Sequence, residues 1–463
     1  MSDAITLNAG AKVHIIGIGG AGMSAIAKIL HSSGYVVSGS DAASSAMTDE
    51  LLALGINVSI GHAAPNIDGV EIVTHSTAIG TDNPEIVAAK AAGLPVYTRA
   101  QTLAAVTQLF ESLLIAGTHG KTTTSSMVAS IFMRAGLDPS FIIGGKLAEF
   151  DTGARLGAGK QLIVEADESD GTFLTLNNSA CVVTNIEKDH LEFYGTEEAM
   201  VQAFRDFIAS AKGPVVLCAD DRGCVELRSS MDLDDIDAHW YGFAEDADVR
   251  IHSYAPDGLG SAFQLNIAGT DYPVKLRHPG KHNALNAAGA VALAVAVGVD
   301  AASATTAATD FAGVGRRYEF RGTQNGIVFV DDYAHLPTEV AAAISAAKSS
   351  EPKRLVVAYQ PHRYSRTQSL YKEFGNCFSS ADKLVVTGIY SSGEEPREGI
   401  TGELVANQVR ADDPGVDLTY IENLEDVRSY LGAELAEGDL CLTLGAGDLT
   451  KMADWVLEDL VGS

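Results

Sequence analysis

The sequence predicts an α/β protein built on parallel sheets. Short runs rich in Val and Ile recur along the chain, and each ends in glycine or acidic residues before an alanine-rich, helix-like segment. This alternation is typical of buried parallel strands joined by crossover helices. The composition agrees, because 46% hydrophobic residues and only 13 prolines in 463 residues suit a chain that buries large cores.

The predicted strands fall into three groups, separated near residues 107 and 314. At about 150 residues per domain, the length also suggests roughly three domains. We therefore predict domains at 1–107, 108–313 and 314–463. In open parallel sheets ligands bind at the carboxyl ends of the strands, so the residues after each strand are the candidates for function. The strands are predicted at 13–18, 35–37, 113–116, 162–164, 181–184, 327–330, 355–359, 384–387 and 440–444.

Charge and targeting signals exclude several classes of protein. The chain has 32 basic and 60 acidic residues, a formal net charge of −28, which argues against binding nucleic acid or an anionic membrane. The five cysteines have no metal-ligand spacing, and the longest apolar stretch, 287–299, is too short to span a bilayer. We expect a cytoplasmic protein in which any phosphate ligand is held by backbone amides, a few cations and a metal.

A glycine-rich loop follows the first predicted strand and opens a helix-like segment, which is the context that a GxGxxG motif requires. Its backbone amides and the helix dipole favour a diphosphate. Asp41 follows the second strand, where a ribose-binding carboxylate or a simple strand cap would lie. General rules alone point to NAD or FAD here. The loop comprises Gly17, Gly19, Gly20, Ala21, Gly22, Met23 and Ser24.

A second phosphate-binding loop follows the strand at 113–116. It is a shortened P-loop, because Ile115 stands where the ordinary motif has its first glycine. Loop amides can bind the β-phosphate, Lys121 can reach the β- and γ-phosphates, and the Thr122 hydroxyl can coordinate Mg²⁺. The loop residues are Gly117, Thr118, His119, Gly120, Lys121, Thr122 and Thr123.

Carboxylates and a histidine follow the next two strands. The segment 165–170 holds four carboxylates, and Glu165, closest to the strand, is the predicted Mg²⁺ ligand. His190 follows the strand at 181–184, although a single histidine is more often structural. Asn283 and Asn286 open a long alanine-rich helix, where an N-cap pair is the simplest explanation.

Eight segments together resemble the Mur ligases, and they occur in the order found in that family. The resemblance extends from residue 13 to about residue 450. It implies a three-domain architecture with Rossmann-like first and third domains and a P-loop ATPase-like central domain. The segments are GIGGAGMS, GTHGKTTT, EADESDG, TNIEKDHLE, GKHNALNAAGA, RRYEFRG, DDYAHLPTE and QPHRYSRT.

The resemblance also assigns ligands. It places the diphosphate of UDP-N-acetylmuramate, rather than NAD, on the first loop, with His62 nearby. It assigns ATP to the central domain, with Asn283 at the adenine and with Thr122, Glu165 and His190 at the metal. In the third domain Asp332 would face the nucleotide. The incoming L-alanine would be held by Tyr333, His335, Arg363 and Arg366.

The activity implied is ATP-dependent ligation of L-alanine to the lactyl carboxylate of UDP-N-acetylmuramate through an acyl phosphate, by a monomer or weak homodimer. Lys121, His335 and Arg363 would carry the catalysis. Two features bear on this expectation: residues 191–211 lack the lysine that several relatives carbamylate, and Leu336 replaces a usual second histidine. The alternatives are a recycling ligase that uses a tripeptide, a nicotinamide-dependent oxidoreductase and a non-catalytic ATP-binding module.

Overall fold

The computed structural model describes residues 7–76, 78–150, 152–231 and 235–462, and it contains three sheets. Two compact units divide the chain. One comprises the chain up to Arg250 with Asn266–Tyr272 and Asn286–Ala308, and the other comprises Ile251–Leu265, Pro273–Leu285 and the chain from Thr309. These units do not coincide with the three predicted domains, so the boundaries at 107 and 313 stay predictions.

The first sheet has five parallel strands in the order β3-β2-β1-β4-β5. Its order reverses at β1, so the carboxyl end of β1 is the expected ligand position. The elements are β1 (Lys12–Ile16), α1 (Ala21–Ser32), β2 (Val36–Asp41), α2 (Ala46–Ala53), β3 (Asn57–Ile60), β4 (Ile72–His75), α3 (Pro84–Ala91), β5 (Val96–Thr98) and α4 (Arg99–Thr107).

The second sheet has ten strands in the order β15-β14-β13-β12-β11-β10-β6-β9-β7-β8. Its parallel centre places β6 between β9 and β10. The elements are β6 (Glu111–Ala116), α5 (Lys121–Arg134), β7 (Ser140–Leu147), β8 (Thr152–Arg155), β9 (Gln161–Glu165), β10 (Ala180–Val183), α6 (Leu191–Tyr194), α7 (Glu197–Ala209), β11 (Val215–Cys218), α8 (Arg222–Ser230), β12 (Ala238–Gly242), β13 (Val249–Asp257), β14 (Gly260–Ile267), β15 (Thr270–Leu276), α9 (Lys281–Ala296) and α10 (Ala301–Thr309).

The third sheet has six strands in the order β16-β17-β21-β18-β19-β20, and only β16 is antiparallel to its neighbour. The elements are β16 (Glu319–Gln324), β17 (Ile327–Asp332), α11 (Pro337–Lys348), β18 (Arg354–Tyr359), α12 (Tyr364–Leu370), β19 (Lys383–Thr387), α13 (Glu403–Asp412), β20 (Leu418–Ile421), α14 (Leu424–Glu434), β21 (Asp439–Leu444) and α15 (Met452–Gly462).

Alternation along the strands of the third sheet explains its two cores. Val330 and Leu442 point into a core shared with α11 and α13, whereas Phe329 and Cys441 point into a second core with α14 and α15. Successive side chains on a strand face opposite sides, so a strand buried on both faces must be apolar throughout. The polar residues at the ends of these strands are therefore exceptions with another role.

All nine predicted strands are present, and no end is shifted by more than four residues. The mixed α/β class is confirmed. Twelve further strands of the described residues were not among the nine, including the antiparallel pair β7–β8 and the strands β13–β15. In β13 and β15 polar and apolar residues mix, without the Val and Ile runs that were used to find strands. Within the described residues, no helix is both long and apolar enough to cross a bilayer.

Candidate active site

The glycine loop turns sharply from β1 into α1. The amides of Gly17 and Ile18 donate to the Ser40 carbonyl at 2.8 and 3.0 Å. Gly17 has a φ of +77°, and a Cβ there would lie 3.0 Å from the Cβ of Ser76. A side chain at this position would therefore be strained and crowded. Met23 and Ser24, both predicted to bind substrate, are buried in α1, whereas Gly20 is exposed and Gly19 and Gly22 are half-buried.

Asp41 supports this loop from the end of β2. Its Oδ2 accepts a hydrogen bond of 2.8 Å from the Gly19 amide. The carboxylate therefore orders the phosphate-binding turn, a role that the sequence did not predict. On the other side of the loop, a Cβ on Gly22 would lie 2.7 Å from Nη1 of the exposed Arg99. Arg99 thus places a cation beside the loop, where a diphosphate would gain from it.

A buried carboxylate, Glu85, holds the segment that contains His62. Glu85 Oε1 accepts from the Ala63 amide at 3.2 Å and from Asn66 Nδ2 at 2.5 Å. Glu85 Oε2 lies 2.5 Å from Ser40 Oγ, which in turn lies 3.0 Å from His62 Nδ1. Glu85 is fully buried, whereas the His62 side chain is 17% exposed.

The charge of Glu85 is stabilised by its donors. Burial raises the pKa of this carboxyl group, but hydrogen bonds from His14, Ser40, Asn66 and the Ala63 amide outweigh burial and bring the pKa down to about 2. Glu85 is therefore a carboxylate at neutral pH. It belongs to no motif, and only its contacts identify it.

The P-loop connects β6 to α5, and glycines make its shape possible. Gly117 has a φ of +128° and Gly120 a φ of +80°, both in the left-handed region. A Cβ on Gly117 would lie 2.1 Å from Thr184 Oγ1, and one on Gly120 would lie 2.4 Å from Asn286 Oδ1. The loop ends at the N-terminus of α5, where the helix dipole favours an anion.

Residues that follow β10 hold the P-loop from one side. The Thr118 amide donates to the Asn185 carbonyl at 3.1 Å, and the His119 amide donates to Asn185 Oδ1 at 2.8 Å. Thr184 Oγ1 donates to the His119 carbonyl at 2.6 Å. The loop is thus ordered by the end of the neighbouring strand, which explains how so short a P-loop keeps one shape.

Lys121 is paired with Glu168, a carboxylate from the acidic segment. Lys121 Nζ lies 2.9 Å from Glu168 Oε1 and 2.8 Å from Oε2, and it also donates to the Gly117 carbonyl at 2.7 Å. Burial raises the pKa of Glu168, and the charge of Lys121 opposes that effect. His190 Nε2 lies 3.7 Å from Glu168 Oε1, so three groups from different strand ends meet here.

Thr122 and Glu165 form a second pair beside the first. Thr122 Oγ1 donates to Glu165 Oε1 at 3.0 Å, and Glu165 Oε2 accepts from the Gly144 amide at 2.9 Å. Two hard oxygen donors at a P-loop suit Mg²⁺, which is usually held by one or two protein groups and by substrate phosphates. No group of three or more His, Cys, Asp or Glu side chains that could hold a metal occurs among the described residues. The pair therefore fits a metal that arrives with a nucleotide.

The two asparagines at the start of α9 have different partners. Asn283 is buried, and its Nδ2 donates to the Pro279 carbonyl at 2.7 Å. Asn286 Oδ1 accepts from Thr124 Oγ1 at 3.3 Å. Both residues lie inside α9, which begins at Lys281, and Asn283 donates to a carbonyl, so neither is the N-cap that the sequence suggested. Asn286 contacts the helix that follows the P-loop.

In the third sheet, two adjacent aspartates end β17. Asp331 is buried and accepts from Thr443 Oγ1 at 2.6 Å and Thr450 Oγ1 at 2.7 Å, so it is structural. Asp332 accepts from the amides of Tyr318 and Ala334, both at 2.7 Å. Burial raises the pKa of Asp332 to about 6, although the charge of Arg317 opposes the rise.

Aromatic and cationic side chains cluster beyond β17 and β18. The ring of Tyr333 lies 5.0 Å from the Arg316 guanidinium carbon and 4.9 Å from that of Arg317. The rings of His335 and His362 are 5.5 Å apart, and Arg366 Nη1 donates to His362 Nδ1 at 3.0 Å. The structure therefore brings three predicted amino-acid ligands, Tyr333, His335 and Arg366, to one strand edge.

Arg363 and His335 have unusual local settings. Arg363 is exposed and has a φ of +65°, which is strained for a residue with a side chain. His335 Nδ1 lies 3.1 Å from the Tyr333 carbonyl and 3.4 Å from Glu339 Oε2. Both neighbours only accept, so Nδ1 carries the proton. Burial lowers the pKa of His335, which leaves a neutral ring with a lone pair on Nε2.

Leu336, which replaces the usual second histidine, is buried at the N-cap of α11. Its amide donates to Glu339 Oε2 at 3.2 Å. The side chain at this position therefore fills the core, and the polar contacts of this turn come from the backbone.

The sequence did not single out Glu85, Arg99 or Glu339, and it named Asn185 only as the end of a strand and Glu168 only as one carboxylate of an acidic segment. Their roles depend on contacts between distant parts of the chain, such as the 47 residues that separate Lys121 from Glu168. Only for Asn185 did a signal exist, because it directly follows a predicted strand.

Two glycine-rich loops that follow parallel strands, one of them a P-loop with carboxylates beside it, are the features of a nucleotide-binding protein. Three family models match the chain in order: the Mur ligase family catalytic domain at residues 12–111, the Mur ligase middle domain at 115–294, and the glutamate ligase domain of Mur ligases at 316–447. The chain belongs to the Mur ligase family.

Three proteins of known activity are similar to 66 to 98% of this chain. A UDP-N-acetylmuramate--L-alanine ligase of Solidesulfovibrio magneticus is 42% identical over 456 residues, covering 98% of this chain and 99% of the relative. The crystal structure of a UDP-N-acetylmuramate-alanine ligase from Thermotoga maritima has a TM-score of 0.78 at 29% identity and covers 97% of this chain and 99% of its own. A tripeptide ligase structure from Neisseria meningitides has a TM-score of 0.59 at 29% identity, with 66% of this chain and 100% of its own covered.

Proposed function

We propose that this protein is an ATP-dependent ligase that joins L-alanine to the lactyl carboxylate of UDP-N-acetylmuramate. The observation that carries the choice of substrates is the 42% identity, over 98% of this chain, to a UDP-N-acetylmuramate--L-alanine ligase. The tripeptide ligase of Neisseria meningitides superposes less closely, with a TM-score of 0.59 against 0.78 for the alanine ligase structure. A nicotinamide-dependent oxidoreductase would not use the P-loop or the carboxylates beside it, so that alternative does not account for the site.

The first step is phosphoryl transfer from ATP to the lactyl carboxylate, which gives an acyl phosphate and ADP. Lys121 lies at the start of α5, so its ammonium group can stabilise charge that develops on the transferred phosphoryl group. To do so it must exchange Glu168, at 2.8 Å, for a phosphate oxygen. Thr122 and Glu165 would hold Mg²⁺, which spreads charge over the phosphates. The loop amides of residues 117–120 orient the nucleotide.

The second step is attack of the neutral amine of L-alanine on the acyl carbon, with loss of phosphate. The planar guanidinium groups of Arg363 and Arg366 suit the carboxylate of the amino acid. The lone pair on His335 Nε2 suits the amino group, either as a hydrogen-bond acceptor or as the group that removes its proton. His190 would be unsuitable as the base if it binds the metal, as the resemblance implies, because its nitrogen lone pair would then be occupied.

The glycine loop at residues 17–24, with Asp41 and His62 beside it, is the proposed site of the UDP-sugar. Gly19 and Gly20 present backbone close to the dipole of α1, where a diphosphate is favoured. Arg99 adds a positive charge beside this site, which the net negative charge of the protein as a whole does not provide. Met23 and Ser24 contribute to the shape of the turn from within the core.

The experiment that tests the proposal measures phosphate release with ATP, Mg²⁺ and UDP-N-acetylmuramate, with a panel of acceptors. We expect L-alanine to stimulate release, with glycine and L-serine weaker by about 10- to 200-fold, because one methyl group changes selectivity by only about 1 to 3 kcal/mol. Stimulation by the tripeptide alone would favour the recycling ligase. Phosphate release that no amino acid stimulates would contradict the proposal.

Oxygen-18 in the lactyl carboxylate tests the acyl phosphate. One labelled oxygen should appear in the inorganic phosphate, and none would appear if the carboxylate is never phosphorylated. Lys121→Ala should abolish turnover while it leaves UDP-sugar binding intact. Lys160→Ala is the matched control, because Lys160 is 71% exposed and pairs only with Glu111 at the surface.

A further inference from the structure

Ser40 lies between two titratable side chains, those of Glu85 and His62, and it can donate its single hydroxyl proton to only one of them. Ser40 Oγ lies 2.5 Å from Glu85 Oε2 and 3.0 Å from His62 Nδ1. An ionised carboxylate only accepts hydrogen bonds, so the hydroxyl proton of Ser40 must point to Glu85. Ser40 can then only accept from His62, so His62 Nδ1 must carry a proton.

A second contact leads to the same assignment. Glu85 Oε2 also lies 3.5 Å from His62 Nδ1, so both groups near this nitrogen are acceptors. In a neutral imidazole only one nitrogen bears a proton. His62 Nε2 is therefore a hydrogen-bond acceptor.

The position of His62 makes this assignment relevant to a ligand. The amide of Gly61, the preceding residue, donates to the Asp41 carbonyl at 2.8 Å, and the Asp41 side chain binds the Gly19 amide. His62 thus follows directly on the residues that shape the glycine loop. Diphosphate oxygens accept hydrogen bonds, so they do not match an acceptor nitrogen.

We infer that Glu85 is a positioning residue that acts through Ser40 to hold His62 as the Nδ1–H tautomer, so that Nε2 accepts a hydrogen bond from a hydroxyl or imide N–H group of the UDP-sugar rather than binding its diphosphate. The choice of ligand rests on the proposed function. The assignment of the His62 tautomer, and of Glu85 and Ser40 as its cause, does not rest on that function.

The variant Glu85→Gln tests the direction of the hydrogen bonds. Its amide oxygen can replace Oε1 and keep the bonds from Ala63 and Asn66, while its NH₂ group replaces Oε2. The NH₂ group then donates to Ser40, and Ser40 donates to His62 Nδ1. The variant should therefore convert His62 to the Nε2–H tautomer while the segment that carries it stays in place.

Long-range ¹H–¹⁵N spectra of histidine-labelled protein give the tautomer directly, at pH 8.5, about two units above the reference pKa of histidine. His62→Gln assigns the signals. We expect Nδ1–H in the original protein and Nε2–H in Glu85→Gln. An Nε2–H ring or an imidazolium in the original protein would overturn the inference, and this result needs no substrate.

Kinetics then separates a positioning role from a purely structural one. Glu85→Gln should raise KM for UDP-N-acetylmuramate about tenfold, with kcat and the KM values for ATP and L-alanine within about twofold. Equal loss in all parameters, or no change in this KM, would contradict the role. Protein that ligates no UDP-sugar, yet shows the expected tautomers, would contradict the proposed function alone.

Ser38→Ala is the matched control. Ser38 Oγ lies 2.9 Å from His14 Nδ1, on the opposite side of Glu85 from His62 in this chain of polar contacts. This variant should leave the His62 tautomer and the UDP-sugar KM unchanged. If Glu85→Gln fails to fold, Ser40→Ala removes the connecting hydroxyl instead, leaves only the 3.5 Å contact with Glu85, and should therefore give a mixture of the two tautomers. Retention of a pure Nδ1–H ring in Ser40→Ala would overturn the role of Ser40.

Discussion

Single residues carry the chemistry of this protein, and several of them are paired with a neighbour that a substrate must replace. Lys121 binds Glu168, and Thr122 binds Glu165. Each cation or hydroxyl is thereby held at the place where a nucleotide would use it, at a low cost of reorganisation. The same logic applies to Asp41 and Gly19, where a carboxylate supports the amides that would bind a diphosphate.

Asp332 gives a prediction about pH. Its pKa is about 6 in the folded protein against an ordinary value of 3.8, so the folded state binds the proton more tightly. The free energy of unfolding therefore falls by about 3 kcal/mol in total as the pH rises from about 3.8 to about 6. At higher pH this group changes it no further. Between pH 5 and pH 7.5 this group should lower the free energy of unfolding by about 1.4 kcal/mol.

Asp332→Asn should remove that pH dependence. Urea unfolding followed by Trp455 fluorescence, in a Trp240→Phe background, reports on the third sheet because Trp455 packs against its core. Asp417→Asn is the control, since Asp417 is 61% exposed. Equal slopes for Asp332→Asn and Asp417→Asn between pH 5 and pH 7.5 would contradict the raised pKa.

At the scale of elements, strand ends and the loops that follow them form every candidate site. The P-loop follows β6, Glu165 ends β9, and Asn185 lies just beyond β10, so three adjacent strands meet at one edge. Because the strands are buried in the sheet, they hold the side chains of these loops in more precise positions than contacts within the loops would.

Gly117→Ala tests this element. The change adds a Cβ 2.1 Å from Thr184 Oγ1 at a φ of +128°, so the loop and the end of β10 must move apart. We expect at least a tenfold loss of ATP affinity and a lower thermal midpoint. Gly136→Ala is the control, because Gly136 also has a positive φ, +76°, but a Cβ there meets nothing within 4 Å.

Gly136→Ala should cost only the backbone strain, about 1 to 2 kcal/mol, and leave ATP affinity unchanged. ATP affinity is measured by calorimetry and stability by thermal unfolding. Equal effects of the two substitutions on ATP affinity would show that the contact with Thr184 does not shape the loop.

At the scale of the whole molecule, the net charge of −28 opposes compaction and repels anionic substrates. Salt shortens the range of this repulsion from about 30 Å at 0.01 M to about 8 Å at 0.15 M. The thermal midpoint should therefore rise between 10 and 300 mM NaCl, while the KM for ATP falls or stays constant. Sodium glutamate at equal ionic strength should act alike, and a midpoint that falls with salt would contradict the argument.

The sequence by itself determined the class of fold, nine of the strands, both phosphate loops and the family, because these depend on patterns within a few neighbouring residues. It named Lys121, Thr122, Glu165 and His190; in the structure Thr122 pairs with Glu165, and Lys121 and His190 both contact Glu168. It could not assign Glu168 to Lys121, Asp41 to Gly19, or Glu85 to His62. These contacts join residues 22 to 47 positions apart, and only the packing of strands and helices decides which side chains meet.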